Sequence, residues 1–325
     1  MKPHRTLCLA LALTAWMTTS LMGQTVGEHG YPYAPDKPLA GELEIVGSTL
    51  MQQVGSLWLS KFQETHPDVQ GTIDCRGSES SLPQMTSAKP ILGMLSRKIS
   101  DEELSQLAQS TKQKFQTVIV GYDILAVIVH PDNPIEALPW NWGNESLWNQ
   151  GSGKRVARWS DLGDATKLGK DQFQIYLPSK EHGLRSMAER FLMRDLDASQ
   201  VAIQELPNPA DISDAVSKDQ ASIALVSATR AKSKKVKPVP IQVSGTLAVS
   251  PLDSQCIAEG YPLVRELSLF FAVDDGGARN PLVEEFLAFV LSRSGQRIMT
   301  YDGFLPLTPS SLEEQREKLG WEVIK

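Results

Sequence analysis

Short apolar segments alternate along the chain with segments of helical periodicity, and this alternation constrains the fold more than any other feature. Glu42–Gly47 predicts a strand. The helix that follows is predicted to bury one face, made of Val54, Leu57, Trp58 and Phe62. Strands that alternate with amphipathic helices are typical of α/β proteins with parallel sheets, and they argue against a β-sandwich. The sequence therefore predicts an α/β fold.

The later apolar segments repeat the same pattern. Further strands are predicted at Val69–Cys75, Ile91–Met94, Gln172–Leu177, Ser222–Val226 and Val236–Val243. Ser100 precedes the acidic residues Asp101–Glu103, which is the signature of a helix start. A final helix is predicted to bury Val283, Phe286, Leu287, Val290 and Leu291.

Two lobes are predicted, because about 300 residues exceed one typical domain. The apolar runs Phe115–Val120 and Ile124–Val129 are separated by Gly121–Tyr122–Asp123, which indicates a first crossing between lobes. Arg265–Val273 indicates the return. The predicted division is residues 40–121 with 258–325 for lobe 1 and residues 122–257 for lobe 2.

The N-terminus has the pattern of an export signal. Lys2 and Arg5 precede an apolar run from Leu7 to Met17 that is too short to span a bilayer. Residues 1–23 are predicted to be a signal peptide cleaved near Gly23, and residues 24–39 a linker. A single-span anchor is the alternative. Export predicts a periplasmic protein.

The charge balance argues against nucleic acid as a partner. The chain carries 32 basic and 38 acidic residues, and removal of Lys2 and Arg5 with the signal changes the net charge from −6 to −8. Nucleic-acid binding requires clustered Lys and Arg, and the short cluster at residues 232–237 is better interpreted as solvated.

Cysteine and histidine do not indicate a metal site. Cys8 leaves with the signal, so that Cys75 and Cys256 remain in an oxidising compartment. A disulfide between them and a pair of free thiols are both compatible with the sequence. The five histidines are scattered, and no Cys/His spacing predicts a zinc site or another cofactor.

Three loops rich in hydroxyl groups follow predicted strands. They are Gly47–Ser48–Thr49, Gly77–Ser78–Glu79–Ser80–Ser81 and Leu95–Ser96–Arg97. Ligands of α/β sheets bind beyond the carboxyl ends of strands, where helix N-termini and Ser/Thr hydroxyls can hold an anion. Ser and Thr are also common helix caps, so each loop has a structural interpretation of its own. Together the three loops predict an oxyanion site.

These motifs resemble the periplasmic phosphate-binding components of ABC importers, which have the type II periplasmic binding protein fold. The resemblance runs along nearly the whole mature chain. Besides the three loops, it rests on Trp148–Lys154 with Trp159–Gly163, Gly260–Arg265, Ser292–Gln296 and Gly303–Leu307. It implies two lobes with a ligand cleft between them, capture of a small oxyanion such as phosphate, delivery to ABC transporter membrane subunits, and a monomer.

The second lobe departs from this family in its anion loop. The family has an arginine, a short spacer and Ser-Gly-Thr, whereas this chain has Pro178–Arg185, with Gly183 flanked by His182 and Leu184. Arg185, Lys180 or a protonated His182 are the candidates to compensate for the lost cation. Glu79 is a second departure, which would either accept a proton from the ligand or point to solvent.

The resemblance and the hydroxyl-rich loops together give the predicted site. Its members are Ser48, Thr49, Ser78, Ser80, Ser96, Arg97 and Gly183. Trp140, Trp142, Trp148 and Trp159 could stack on a flat ligand, but packing is the simpler role. A scaffold protein that has lost the anion site is the alternative function. The absence of a Gly-x-Ser-x-Gly elbow and of paired carboxylates argues against an enzyme.

Overall fold

The computed structural model describes residues 30–85, 90–140, 158–162, 168–180, 182–194, 196, 201–208, 210–233, 235–253 and 255–321, without the side chains of Glu79 and Ser80. The predicted signal peptide, residues 24–29 of the predicted linker, Trp142, Trp148 and the motif Trp148–Lys154 lie outside these residues. No helix in the described ranges is long and apolar enough to cross a membrane.

Strands and helices alternate along the described chain, which confirms the α/β prediction. The strands are β1 (Ala40–Gly47), β2 (Asp68–Asp74), β3 (Ile91–Leu95), β4 (Lys114–Val129), β5 (Leu138–Pro139), β6 (Gln174–Pro178), β7 (Ala202–Leu206), β8 (Ser222–Ser227), β9 (Lys237–Val239), β10 (Ile241–Ser244), β11 (Leu247–Val249), β12 (Val264–Val273) and β13 (Leu305–Pro306). The helices are α1 (Gln52–Thr65), α2 (Ser78–Gln84), α3 (Asp101–Thr111), α4 (Arg185–Leu192), α5 (Asp211–Val216), α6 (Ala228–Ala231), α7 (Pro281–Val290), α8 (Arg293–Tyr301) and α9 (Pro309–Lys318).

One hydrogen-bonded sheet runs through the molecule in the order β2-β1-β3-β12-β4-β8-β6-β7. The strands at its two ends are parallel to their neighbours, as predicted. The strands β12 and β4 in its middle are antiparallel to theirs, so the sheet is mixed rather than parallel. The chain crosses between lobes on β4 and returns on β12, and these opposite directions explain the antiparallel centre.

The two apolar runs on either side of Gly121–Tyr122–Asp123, the predicted crossing between lobes, are parts of one continuous strand, β4. Gly121 lets β13 approach β4 closely: a Cβ there would lie 2.8 Å from the carbonyl oxygen of Leu305, which belongs to the short strand β13 paired with β4. The prediction of one strand over Val236–Val243 is wrong. Pro240 separates β9 from β10, which pair with different sheets, because proline has no N–H to continue the ladder.

Two smaller predictions about helices need correction. Leu57 is 36% exposed, whereas Val54, Trp58 and Phe62 are fully buried, so the apolar face of α1 is narrower than predicted. The helix that buries Val283 and Phe286 is not the last one, because α8 and α9 follow it. The predicted cap at Ser100 is confirmed: its hydroxyl accepts a hydrogen bond from the Glu103 N–H in a capping box.

The chain builds two main hydrophobic cores, and the long strands pass from one to the other. On β4, Val120 belongs to one core and Ile124 to the other. On the return, Leu263 belongs to the same core as Ile124, and Leu267 belongs to the same core as Val120. The two lobes therefore meet along β4 and β12, close to the loops that carry the predicted site. The lobe boundaries at residues 121 and 257 stay predictions.

Candidate functional site

A tight turn at the end of β1 positions the first predicted site residue. Gly47 has φ +126°, and a Cβ there would lie 2.2 Å from the carbonyl oxygen of Met94. Only glycine adopts this conformation at such close range without strain. The Ser48 N–H donates to the same carbonyl oxygen at 2.9 Å, and the Gly77 N–H donates to the Gly47 carbonyl oxygen at 2.8 Å. Backbone contacts therefore hold the three hydroxyl-rich loops together.

Three of the predicted serines form one hydrogen-bonded cluster. The Ser48 hydroxyl donates to the Ser96 hydroxyl at 2.9 Å, and the Ser78 and Ser96 hydroxyls are 3.4 Å apart. The Ser96 N–H also donates to the Ser78 hydroxyl at 3.3 Å. Each of the three residues is at most 4% exposed. We call Ser48, Ser78 and Ser96 the serine cluster.

The second lobe contacts the serine cluster through Gly183. A Cβ at Gly183 would lie 3.1 Å from the Ser96 hydroxyl, so any larger residue would crowd the cluster. The Arg265 guanidinium lies 3.5 Å from the Gly183 carbonyl oxygen. The loop between β6 and α4 therefore lies against both the serine cluster and β12.

A buried ion pair lies where the chain crosses between lobes. Asp123 on β4 and Arg265 on β12 are paired in the strand register, and their side chains form an ion pair with an Nη2–Oδ2 distance of 2.7 Å. The two side chains are 1% and 3% exposed. The Ser227 hydroxyl donates to the other Asp123 carboxylate oxygen at 2.6 Å. This network satisfies both charges and joins three strands of the shared sheet.

A cavity of about 270 Å³ lies between the lobes beside this ion pair. We call it the inner cavity. Thr49 from lobe 1 lines it, together with His182, Ser227, Arg230 and Arg265. Arg230 is exposed, and no carboxylate in the described part of the chain forms an ion pair with it. The inner cavity thus combines the Thr49 hydroxyl with two arginines: Arg265, which is paired with Asp123, and Arg230, which has no ion pair among the described residues.

His182 is a neutral hydrogen-bonding group of the inner cavity. Its Nδ1 accepts a hydrogen bond from the Leu184 N–H at 3.2 Å, which places the proton of the neutral ring on Nε2. Burial, with the nearby Arg265 and Arg230, lowers the pKa of His182 to about 4. The imidazole is therefore uncharged at pH 7 in this structure.

The depressed pKa of His182 predicts a loss of stability in acid. An unfolded histidine titrates near about 6.5. The contribution of neutral His182 to the free energy of unfolding is therefore complete above that pH, and it is lost as the pH falls towards the folded pKa of about 4.

The melting temperature of the variant His182→Gln is expected to fall less between pH 7 and pH 4 than that of the wild type. Scanning fluorimetry across this range measures the effect. Parallel curves for His182→Gln and the wild type would contradict the prediction.

The remaining predicted residues are divided between the cavity and other contacts. Thr49 is exposed and lines the inner cavity. The Arg97 guanidinium donates to Glu103 at 2.6 Å, at the start of α3. Arg185 forms ion pairs with Glu189 and Glu205 on the second lobe, and it is not among the residues that line the inner cavity. The backbone of Ser80 lies in α2, and its side chain is not among the described parts of the structure.

Trp159 and the cysteines have structural surroundings. Trp159 is 2% exposed, packs edge-to-face on Phe173 and donates to the Ala221 carbonyl oxygen. Cys75 and Cys256 are free thiols that pack against different hydrophobic cores.

Sequence reasoning missed the polar and charged residues at the crossing between the lobes. Asp123, Ser227, Arg230 and Arg265 come from three strands and one short helix, and they meet only through the sheet order. The available signal was that Ser227 ends the buried strand β8 and Arg230 follows it, at a carboxyl end where α/β ligands bind.

Comparison with known proteins gives a consistent result. Residues 33–294 match the profile of the PBP superfamily domain. The phosphate-binding protein PstS of Pseudomonas aeruginosa is 28% identical over 293 residues, which cover 89% of this chain and 90% of that protein. An ABC-type phosphate transport receptor from Vibrio cholerae superposes with a TM-score of 0.62 at 19% identity, over 82% of this chain and 100% of that one. PstS from Borrelia burgdorferi gives 0.57 at 16% identity, over 82% and 99%.

Proposed function

Because the chain belongs to the PBP superfamily, we propose that it is a solute-binding protein that captures phosphate, or a closely related oxyanion, in the cleft between its lobes. One observation carries the proposal: the inner cavity places Thr49 of lobe 1 opposite Ser227 and Arg230 of lobe 2, beside the serine cluster. The Thr49 hydroxyl, together with an arginine that has no ion pair among the described residues, is suited to an oxyanion that both lobes hold. Relatives named as phosphate-binding proteins support the same ligand.

The proposal extends to the partner and the compartment. A captured anion would be delivered to the membrane subunits of an ABC transporter, and the protein would work in the periplasm as a monomer without chemical conversion of the ligand. The relatives' names and the predicted signal at residues 1–23 support this part.

A thermal-shift titration tests the ligand. The mature protein is titrated with phosphate, arsenate, sulfate and a neutral sugar. A ligand that binds only the folded state at about a hundred times its dissociation constant adds roughly 2.7 kcal/mol of stability. We expect the melting temperature to rise with phosphate and arsenate and to stay unchanged with the sugar. If no anion raises the melting temperature, the proposal is contradicted and the scaffold alternative is favoured. In that alternative the hydroxyls of the serine cluster hydrogen-bond only to one another.

The predicted contact of Ser48 and Ser96 with the anion is tested by alanine substitution. The hydroxyls of the serine cluster are buried and hydrogen-bonded to one another, so contact with an anion would exchange these bonds for bonds to the ligand. Each lost neutral hydrogen bond is expected to weaken phosphate binding about three- to tenfold. Calorimetric titration of Ser48→Ala and Ser96→Ala measures the change, and Ser110→Ala on α3 is the control. Unchanged affinity in both variants would remove the serine cluster from the site.

A further inference from the structure

A second cavity adjoins the inner cavity, and neither residue of the ion pair lines it. Its volume is about 620 Å³, and we call it the outer cavity. The two cavities share Thr49, Leu50, Ser227 and Arg230 as lining residues. An inorganic phosphate that binds at Arg230 would leave most of the outer cavity to solvent, because the space is within the range of about 300–1,000 Å³ that accommodates whole organic ligands.

The cation of the combined space lies on the wall that the two cavities share. Arg230 lines both cavities, and no ion pair in the described ranges neutralises it. Arg265, by contrast, lines only the inner cavity and is paired with Asp123. A phosphate group at Arg230 leaves the outer cavity, which is the larger of the two, for the rest of a ligand.

The groups along the outer cavity are suited to hydroxyls rather than to a second anion. Gln52 and Gln53 are exposed on the first turn of α1, and each carries an amide that both donates and accepts hydrogen bonds. Asp302 also lines the outer cavity, where its carboxylate can accept a hydrogen bond from a hydroxyl and repel another phosphate. The outer cavity thus favours a neutral, hydroxylated substituent.

We propose, on the basis of the proposed anion function, that the ligand is a phosphate monoester of a small polyol. Its phosphate lies at Arg230, and its hydroxyl groups lie in the outer cavity between Gln53 and Asp302. The chemistry that selects this class is one cation at the shared wall and uncharged or acidic hydrogen-bonding groups beyond it. A bare oxyanion uses the first of these features and not the second.

Calorimetric titration with sn-glycerol 3-phosphate and with inorganic phosphate tests the proposal. The ester is expected to bind about tenfold more tightly, because its hydroxyls add neutral hydrogen bonds. The double variant Gln52→Ala/Gln53→Ala should lose about this factor for the ester and keep the wild-type affinity for phosphate. Both glutamines are exposed, so the variant should fold, and Gln106→Ala on α3 is the matched control.

The outcomes separate this inference from the proposed function. If the affinity for inorganic phosphate equals or exceeds the affinity for the ester, the proposal of a phosphate monoester is wrong, while the proposal of phosphate capture still stands. Tighter ester binding that the glutamine variant does not reduce would overturn the placement in the outer cavity. Binding of neither ligand would overturn both the inference and the proposed function.

Discussion

The variant Arg265→Leu is expected to lower the free energy of unfolding by about 3–5 kcal/mol, because removal of one partner leaves a buried charge uncompensated. The Asp123 carboxylate is 1% exposed, and it would keep only the hydrogen bond from Ser227. The effect should be large because the pair joins β4 to β12 where both strands pass between the cores. Urea unfolding followed by circular dichroism measures the loss.

The double variant Asp123→Leu/Arg265→Leu is the control for this prediction. Replacement of a whole buried pair by apolar residues is often neutral or stabilising, so the double variant should be more stable than Arg265→Leu alone. A single substitution that costs less than about 1 kcal/mol, the range of an exposed pair, would show that the pair is solvated rather than buried.

The variant Arg230→Gln is expected to weaken phosphate binding by about ten- to a hundredfold. A hydrogen bond from a charged donor contributes about 1.5–3 kcal/mol, and glutamine keeps a donor but loses the charge. Arg230 is exposed and is a cation of the cleft without an ion pair among the described residues, so its loss should affect binding far more than folding. Calorimetric titration gives the affinity, and the melting temperature without ligand reports on the fold.

Arg194→Gln is the matched control for this change. Arg194 is exposed just beyond the end of α4 that is remote from His182, and the substitution removes the same charge. If both variants bind phosphate as the wild type does, Arg230 does not contact the anion. If both weaken equally, the effect comes from net charge rather than from a contact.

Much of the fold was predictable because it depends on local patterns. The burial of Val54, Trp58 and Phe62 follows from helical periodicity, and the cap at Ser100 follows from its own short motif. The continuity of β4 through Gly121 was not predictable in this way. It goes with the pairing of β4 to β12, in which Gly121 faces Leu267, a residue 146 positions later in the chain. The break at Pro240, by contrast, follows from a local property, because proline has no N–H to continue the ladder.

The candidate site likewise has one part that could be predicted from local sequence and one part that depends on distant strand pairing. Ser48, Ser78 and Ser96 could be grouped from sequence because each follows its own strand, and parallel neighbours bring such loops to one edge. The pairing of Asp123 with Arg265 could not, because it depends on the register of two antiparallel strands that are distant in sequence. Arg230 could not be grouped with Pro178–Arg185 for a related reason: it lies on α6, which follows β8, and β8 becomes the neighbour of β6 only in the folded sheet.

The central claim is that the cleft binds a phosphate-type oxyanion, and a calorimetric titration of the mature protein with inorganic phosphate at pH 7 tests it most directly. The account predicts saturable binding of one phosphate per chain, which a tenfold excess of a neutral sugar does not reduce. An absence of binding heat, together with an unchanged melting temperature at the highest phosphate concentration, would contradict it.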